Sequence, residues 1–419
     1  MPGYLIGKTC STHNVCMHKS SLAQILGLSK FTVIKAEELP EKILIHVKLR
    51  RKTGLCSSCG KRSTKVHEHT PPQTIKHISI GCRQTHLIVY KRRFWCRNCQ
   101  KTYNEKLDMV KKWHRHTDLL EDEVIRELKE MSFLGTQRRT GVNYDQQVKI
   151  LKKFMKPFEA NWKREQKMKS FSLGMDGHSF SGHDMVLTVT NLTIPKVISI
   201  LPSDKKKDID HFLTRIPDEV KLKINAVCID MSAGYRFSLK KYLPSSKVVI
   251  DHFHIIQDAN NRIDEERRIA NEMLKTKAPK KLFLKNKEHL TQSQQVQIKF
   301  WFKKLPDLAV LWFFKEALRE MYSSKSRETA QKRLDIVISG LYKQRSKTTS
   351  DWAKTLERWY DTILNYFDYR ITNGFTEGMH TKFKLLKRLG YGFRNKEVYI
   401  RKMALACLPW VVFLPRYSG

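Results

Sequence analysis

INAVCID, residues 224–230, is an apolar run that ends in an aspartate, and the runs around it decide the fold class. MVLTVTNL (185–192) and KVISILP (196–202) precede it, and KVVID (247–251) follows it. Such runs predict buried strands, and their alternation with helical patterns predicts an α/β sheet with helices packed on it. Asp230 then stands at the carboxyl end of a central strand, where such sheets place their sites.

Two further acids join Asp230 as candidate catalytic residues. Asp176 follows a short apolar stretch in FSLGMDGHSF (171–180), so it too is expected at a strand end. Glu377 lies near the start of a helix predicted in NGFTEGMHTKFKLLKR (373–388). Phosphodiester cleavage uses two divalent ions, and Mg²⁺ or Mn²⁺ prefers oxygen ligands, which the three carboxylates would supply. The residues alone leave a second interpretation open, in which each acid is an ordinary turn or helix-start residue.

The predicted helix that contains Glu377 also carries cations. Its period places Lys384 and Arg388 on the same face as Glu377, while Phe383 lies on the other face and can pack inward. Together with Lys387, these cations are expected to neutralise phosphate charge.

A competing site follows the strand KVVID. Asp251 and His254, in the run DHFH (251–254), could supply a carboxylate or an imidazole, directly or from beside the site. His178 and His183 lie near Asp176 in the sequence and are weaker alternatives. A histidine is more often a hydrogen-bonded structural residue than a metal ligand.

Nine cysteines in a chain without a secretory signal indicate metal ligands before disulfides. Two C-x-x-C knuckles, separated by strand-like runs, predict a structural Zn²⁺ site in a zinc ribbon at about 42–104. Their ligands would be Cys56, Cys59, Cys96 and Cys99. The layer is small, so the metal should supply part of its folding free energy. Unrelated or redox-active cysteine pairs are the alternative.

The remaining cysteines show no comparable spacing. Cys82, Cys228 and Cys407 are expected in the core. A second possible ligand set near the N-terminus matches no specific pattern and consists of Cys10, His13, Cys16 and His18.

Residues 117–156 fit a helix, a short helix, a turn at Gly141 and a further helix. This order predicts a helix-turn-helix whose second helix, about 144–155, reads bases in the major groove. The residues expected to contact bases are Tyr144, Gln146, Gln147 and Lys149. Arg138 and Arg139 would contact phosphates. An ordinary helical hairpin with a glycine turn is the alternative.

The charge balance favours a nucleic-acid partner. The 419 residues include 79 Lys and Arg against 41 Asp and Glu, a net charge of +38 spread along the chain. Such a surface suits a polyanion, here double-stranded DNA. The longest apolar runs, such as 403–415, are shorter than the roughly 20 residues that span a membrane, so we expect no membrane partner and a cytoplasmic location.

The order of these motifs resembles the ISL3 family of insertion-sequence transposases. The resemblance rests on C-x-x-C…C-x-x-C, MDGHSF, CIDM, VVIDHFHIIQDAN and, most specifically, TNGFTEGMHTKFKLLKRLGYGFRN. It implies an α/β RNase H-like catalytic domain with an α-helical insertion, preceded by a zinc ribbon and a helix-turn-helix region. It also implies a DDE site formed by Asp176, Asp230 and Glu377.

The predicted boundaries follow from this order. They are 1–104 for the N-terminal region, 105–165 for the helix-turn-helix, 166–275 and 366–419 for the catalytic core, and 276–365 for the insertion. Tryptophans in the helical stretch 255–370 are expected to serve mostly in core packing, with stacking on an unpaired base as the alternative.

The expected function is binding of terminal inverted repeats, strand cleavage and strand transfer by a homo-oligomer on DNA in a bacterial or archaeal cell. A non-catalytic DNA-binding regulator and a nuclease of the same fold are the alternatives.

Overall fold

A computed structural model describes residues 23–81, 83–111, 113–155 and 160–409. The chain divides into two units at Phe154 and Met155, and the second unit extends to Cys407. Residues 105–154, predicted as a separate helical region, belong to the first unit together with the strands that precede them. Cys82 and the cysteines and histidines of residues 10–18 lie outside the described residues.

Within the described residues, the first unit has nine strands, which follow a short helical segment at 23–25. They are β1 (Phe31–Glu38), β2 (Lys42–Leu49), β3 (Gly54–Leu55), β4 (Arg62–Ser63), β5 (Val66–His69), β6 (Gln73–Ile80), β7 (Arg83–Tyr90), β8 (Arg92–Trp95) and β9 (Thr102–Asn104). The long strands form one sheet in the order β1-β2-β7-β6, in which β2 and β7 run parallel. Alternate residues of these strands, such as Ile45, Val47, Ile75 and Leu87, fill a core of their own.

The zinc-ribbon prediction is refined by this topology. The long hairpin β6–β7 lies between the two knuckles in sequence, but it pairs with β2 in the larger sheet. The knuckles themselves are the turns of two small hairpins, β3–β4 and β8–β9. The ribbon is therefore a small layer beside a sheet that has its own core.

Three longer helices follow these strands in the described part of the first unit. They are α1 (Asp118–Glu130), α2 (Phe133–Thr140) and α3 (Tyr144–Phe154). The side chains of Thr117 and Ser132 cap α1 and α2 by accepting backbone N–H groups. Gly141 ends α2 with φ 69°, a left-handed conformation that glycine adopts readily. The predicted turn at Gly141 is confirmed.

The second unit contains a five-stranded mixed sheet. Its strands are β10 (Phe171–Ser181), β11 (Asp184–Asn191), β12 (Lys196–Leu201), β13 (Ile224–Ile229) and β14 (Lys247–Ile250), in the order β12-β11-β10-β13-β14. The meander β10–β11–β12 is antiparallel, and β13 and β14 run parallel to β10. The predicted α/β sheet is present.

Helices surround and follow this sheet. They are α4 (Lys206–Thr214), α5 (Asp218–Lys221), α6 (Ala233–Tyr242), α7 (His252–Met273), α8 (Lys280–Leu284), α9 (Gln292–Lys304), α10 (Pro306–Tyr322), α11 (Arg327–Lys343), α12 (Lys347–Arg358), α13 (Tyr360–Tyr369), α14 (Gly374–Leu389) and α15 (Lys396–Cys407). Short 3₁₀ turns lie at Glu165–Lys167 and Lys287–His289.

The helical stretch α7–α13 starts directly after β14, earlier than the expected residue 276. Trp312, Trp352 and Trp359 lie in its core, which agrees with a packing role. Within the described ranges, no helix is both long and apolar enough to cross a membrane.

Candidate active site and metal centres

The four knuckle cysteines converge on one point. Cys56 and Cys99 place their Sγ atoms 3.5 Å apart, and Cys59 and Cys96 place theirs 3.6 Å apart. All four sulfur atoms lie within 4.8 Å of one another. Four thiolates around one point are the ligand set of structural Zn²⁺.

The knuckle backbones favour thiolates over thiols. Backbone N–H groups of Cys59 and Ser58 are the main cause that lowers the pKa of Cys56 to about 6. Gly60 and Gln100 follow the second cysteine of each knuckle with φ of 71° and 52°, so both turns have a residue in the left-handed conformation at the same position. The donor set and the turns fit a zinc ion.

Asp176 and Asp230 occupy equivalent positions on neighbouring parallel strands. Gly174 of β10 pairs with Cys228 of β13, and each aspartate stands two residues beyond this pair. Side chains alternate along a strand, so the two carboxylates project from the same face. Asp230 follows the end of β13 as predicted. Asp176 does not stand at a strand end, because β10 continues to Ser181 in its antiparallel pairing with β11.

Glu377 reaches this face because the start of α14 is attached to β10. Asn373, fully buried, donates from its Nδ2 to the carbonyl of Met175 at 3.4 Å. A Cβ at Gly174 would lie 2.5 Å from Oδ1 of Asn373, so this close approach requires glycine. Thr376, the residue before Glu377, places its hydroxyl 2.7 Å from the hydroxyl of Thr190 on β11. Glu377 therefore lies in the first turn of a helix fixed against the strand of Asp176.

The charges of several acids act on the same buried thiol of the sheet, that of Cys228. Burial raises the pKa of the Cys228 thiol, and the charges of Asp251, Asp176 and Glu377 raise it further. Burial also raises the pKa of Asp230, with a further contribution from Asp176 that His254 opposes. Several carboxylates therefore act electrostatically on one partly buried region of the sheet.

The carboxylates are more widely spaced than the ligands of a single ion. Within the described part of the chain, their oxygens do not form a set in which all lie within 4.8 Å of one another. A pair of ions about 4 Å apart needs ligands spread over a longer span. Oxygen donors of this kind suit hard divalent cations.

Asp251, the predicted alternative ligand, accepts backbone hydrogen bonds from two segments of the chain. It is buried, and its Oδ1 accepts the N–H of Phe253 at 3.0 Å as the N-cap of α7. Its Oδ2 accepts the N–H of Asn373 at 2.6 Å. Although burial opposes its ionisation, hydrogen bonds from His252, Asn373 and Phe253 lower its pKa. Asp251 thus holds the segment that leads into the helix of Glu377.

Histidines surround Asp176 in a way that the sequence did not indicate. His380, one turn after Glu377, places Nδ1 3.3 Å from Oδ2 of Asp176 and Nε2 3.1 Å from the hydroxyl of Thr188. The ring of His178 lies 4.4 Å from that of His380 at an interplanar angle of 45°, and its Nε2 is 2.8 Å from the hydroxyl of Tyr399. Burial is the main cause that lowers the pKa of His178 to about 3, so this imidazole is neutral. His183 is exposed in the turn between β10 and β11.

His254 is half-buried on the first turn of α7, and its charge acts on Asp230. Its buried Nε2 has no hydrogen-bond partner among the described residues. This placement agrees with a role beside the carboxylates. Of the predicted phosphate contacts, Lys384 and Arg388 are exposed, whereas Lys387 bonds the carbonyl of Phe180.

The predicted DNA-contacting residues differ in their placement. Arg138, Tyr144, Gln146 and Lys149 are exposed on α2 and α3. Arg139 is exposed but pairs with Glu127 at 3.2 Å. Gln147 is fully buried, and its Nε2 donates to the carbonyls of Phe133 and Val142 at 3.0 and 2.6 Å. Gln147 braces the turn between α2 and α3 and cannot reach a base, which corrects its expected role.

Replacing one zinc ligand should loosen the ribbon while the neighbouring sheet stays folded. Apart from the cysteines, buried packing around the metal consists of Phe94 and Tyr103, so little holds this layer without zinc. We expect Cys96→Ser to lose zinc and hydrogen-exchange protection in β3–β5, β8 and β9, with β1 and β2 still protected. Cys407→Ser, outside the cluster, should change neither quantity. Simultaneous loss of protection in β1 and β2 would contradict the separation of the two cores.

Comparisons with known proteins agree with these features. A family model described as a transposase, the DDE domain of ISL3 elements, matches residues 173–403. A second model, the zinc-finger of transposase IS204/IS1001/IS1096/IS1165, matches residues 52–99. The chain is similar to the transposase for insertion sequence element IS1001 of Bordetella parapertussis, at 22% identity over 380 residues that cover 88% of this chain and 93% of that relative.

A second relative is the transposase for insertion sequence element IS1557 of Mycobacterium tuberculosis (strain CDC 1551 / Oshkosh). It is 24% identical over 277 residues, 59% of this chain and 62% of the relative. The DDE model alone spans more than half of the chain and contains all three acids. The chain belongs to the ISL3 family of DDE transposases.

Proposed function

We propose that this transposase cleaves DNA at the ends of a mobile element and joins the freed ends to target DNA, with Asp176, Asp230 and Glu377 holding Mg²⁺ or Mn²⁺. The observation that carries the proposal is the shared register of Asp176 and Asp230 beyond the pair Gly174–Cys228. The attachment of α14 to β10 through Asn373 supports the proposal that Glu377 acts with them.

The proposed fold of the catalytic unit is RNase H-like. Its support is the mixed five-stranded sheet, with Asp176 and Asp230 beyond the paired ends of two parallel strands. The helices α7–α13 form the insertion between Asp230 and Glu377, and their bounds move the proposed insertion to 252–369.

The residues around the carboxylates have separate proposed tasks. Bound divalent ions would supply a Lewis acid that activates a water or a 3′-hydroxyl and stabilises the leaving oxygen. His380 orients the Asp176 carboxylate and is itself held by Thr188. Asp251 and Asn373 fix the start of α14, the helix that carries Glu377. Lys384 and Arg388 would contact phosphates.

DNA recognition is proposed for the zinc ribbon and for α2–α3 as a helix-turn-helix. The exposed residues Arg138, Tyr144, Gln146 and Lys149 would contact the terminal inverted repeats. Simultaneous cleavage at two element ends requires at least two copies, so a homo-oligomer on DNA is part of the proposal. The site of action would be the DNA of a bacterial or archaeal cell.

Removing any one catalytic carboxylate should abolish cleavage without unfolding the protein. We expect Asp176→Asn, Asp230→Asn and Glu377→Gln each to lower the cleavage rate of end-containing duplex by more than about 100-fold, beyond the loss typical of outer metal-site partners. Asp184→Asn, an exposed acid in the same sheet, is the matched control and should cleave normally.

The same assay separates the alternatives. Joined products that need a free 3′-hydroxyl are expected of a transposase, whereas cleavage without joining would indicate a nuclease. Normal cleavage by all three variants would refute the assignment of the acids. Binding of end DNA without any cleavage by the unaltered protein would favour a regulator.

Replacing Asp251 should affect folding more than metal use. Asp251→Asn weakens acceptors for two buried N–H groups, so we expect a loss of about 1–3 kcal/mol in unfolding free energy. The Mg²⁺ concentration for half-maximal cleavage should stay within about 2-fold of normal, whereas Asp230→Glu should raise it about 10-fold or more. A large shift for Asp251→Asn would make Asp251 a metal ligand.

Replacing Gln146 should weaken DNA binding, whereas replacing its neighbour Gln147 should lower stability. Gln146→Ala should weaken binding of the terminal repeat by about 1–3 kcal/mol with unchanged stability, because its side chain is exposed on the proposed reading helix. Gln147→Ala should lower stability, because the carbonyls of Phe133 and Val142 lose their donor. Binding assays on cognate and scrambled duplexes, paired with denaturant unfolding, measure both effects. Equal loss of binding to both duplexes in Gln146→Ala would contradict base reading.

A further inference from the structure

We propose that His114, His116 and Glu121 form a second transition-metal site, most suited to Zn²⁺, in the first unit and apart from the four cysteines. The three residues approach one point with one ligand atom each. Nδ1 of His114 and Nε2 of His116 are 3.3 Å apart. Oε1 of Glu121 lies 3.1 Å from Nε2 of His116 and 3.5 Å from Nδ1 of His114.

Two of these separations, 3.3 and 3.5 Å, equal those of ligands on one tetrahedral ion, and the third, 3.1 Å, is slightly shorter. Bonds of about 2.0–2.2 Å to zinc at tetrahedral angles place neighbouring ligand atoms roughly 3.3–3.6 Å apart. Two imidazole nitrogens at 3.3 Å repel if both carry a lone pair or both carry a proton. Either a shared metal cation or a single shared proton removes that repulsion. The experiment below distinguishes these two alternatives.

The local backbone explains why the three side chains meet. His116 forms a β-bridge with Lys76 of β6, and Lys76 donates its N–H to the carbonyl of Arg115 at 2.9 Å. His114 lies two residues before this bridge, and its ring is 4.9 Å from that of His116. Thr117 then caps α1, and Glu121 follows in its first turn. The bridge and the first turn of α1 therefore hold His116 and Glu121 close together.

The second oxygen of Glu121 has partners of its own. Oε2 accepts from Lys111 at 2.7 Å and from Lys153 at 2.5 Å, which leaves Oε1 directed at the histidines. Lys111 also pairs with Asp118 at 2.7 Å, so the two ammonium groups are balanced by two carboxylates. Metal-bound carboxylates are commonly oriented by such outer hydrogen bonds.

The donor set selects the ion. Two imidazoles and one carboxylate oxygen suit zinc and its neighbours in the first transition row, whereas Mg²⁺ prefers oxygen ligands and retains its waters. All three residues line a cavity of about 380 Å³, so water can occupy the fourth position. Arg115 and Lys149 line the same cavity, which favours an anionic or neutral fourth ligand over a further cation.

Zinc stoichiometry of the full-length chain tests the site directly, independently of activity and DNA binding. The untagged protein is saturated with Zn²⁺, freed of excess metal, and measured by atomic emission. We expect about two zinc ions per chain, and about one in either His114→Ala or Cys96→Ser, because each variant removes one site. His67→Ala, an exposed histidine of β5, is the matched control and should retain about two.

Cobalt replacement identifies the ligands. Co²⁺ at this site should show visible d–d absorption without a thiolate charge-transfer band, and His114→Ala should remove only that component. His116→Gln serves as a second variant that keeps a polar side chain at the buried position. Circular dichroism shows whether each variant folds.

Two results would overturn the proposal. The first is about one zinc per chain in the unaltered protein, with all of it lost in Cys96→Ser. The second is an unchanged zinc content in both folded histidine variants. In either case the cluster is a proton-sharing ion-pair network, with Lys111 and Lys153 as its cations.

Discussion

The buried contact between Asn373 and β10 is the constraint on which the arrangement of the three acids depends. Asp176 and Asp230 are placed by strand register, but Glu377 is separated from Asp230 by β14 and eight helices, α6–α13. Its position is defined only where the chain returns to the sheet. There Asn373 donates to Met175, its N–H bonds Asp251, and Gly174 leaves the space that Asn373 fills. A large insertion is tolerated because the return point is fixed by buried polar contacts.

Local patterns allowed much of this architecture to be predicted. Apolar runs predict the strands of the second unit, paired C-x-x-C motifs predict the thiolate cluster, and Gly141 predicts the turn between α2 and α3. In each case the physical signal lies within a few residues. Asp230 was recognisable because an apolar run ends at it. Glu377 needed the family resemblance, since a first-turn glutamate is common in ordinary helices.

Long-range pairing explains what the sequence could not reveal. Nothing near Asp176 shows that β10 continues past it, because the continuation depends on β11. Asp251 has the sequence features of a ligand, and only the N–H groups of Phe253 and Asn373 reveal its role as a cap. Gln147 has the spacing of a base-reading residue, yet its amide faces two carbonyls inside the helix pair. His380 carries no local signal at all, because its partner Asp176 is about 200 residues away.

Different donor atoms keep the proposed metal sites from competing with one another. Thiolates hold Zn²⁺ far more tightly than Mg²⁺, so the cysteine cluster can remain occupied while catalytic ions exchange. The carboxylate region contains hard oxygen donors, and burial, with a smaller contribution from the charge of Asp176, raises the pKa of Asp230. Burial of carboxylates is unfavourable without cations, so the proposed divalent ions would stabilise this region when they bind. The proposed structural zinc and the proposed catalytic ions would therefore use different residues of one chain.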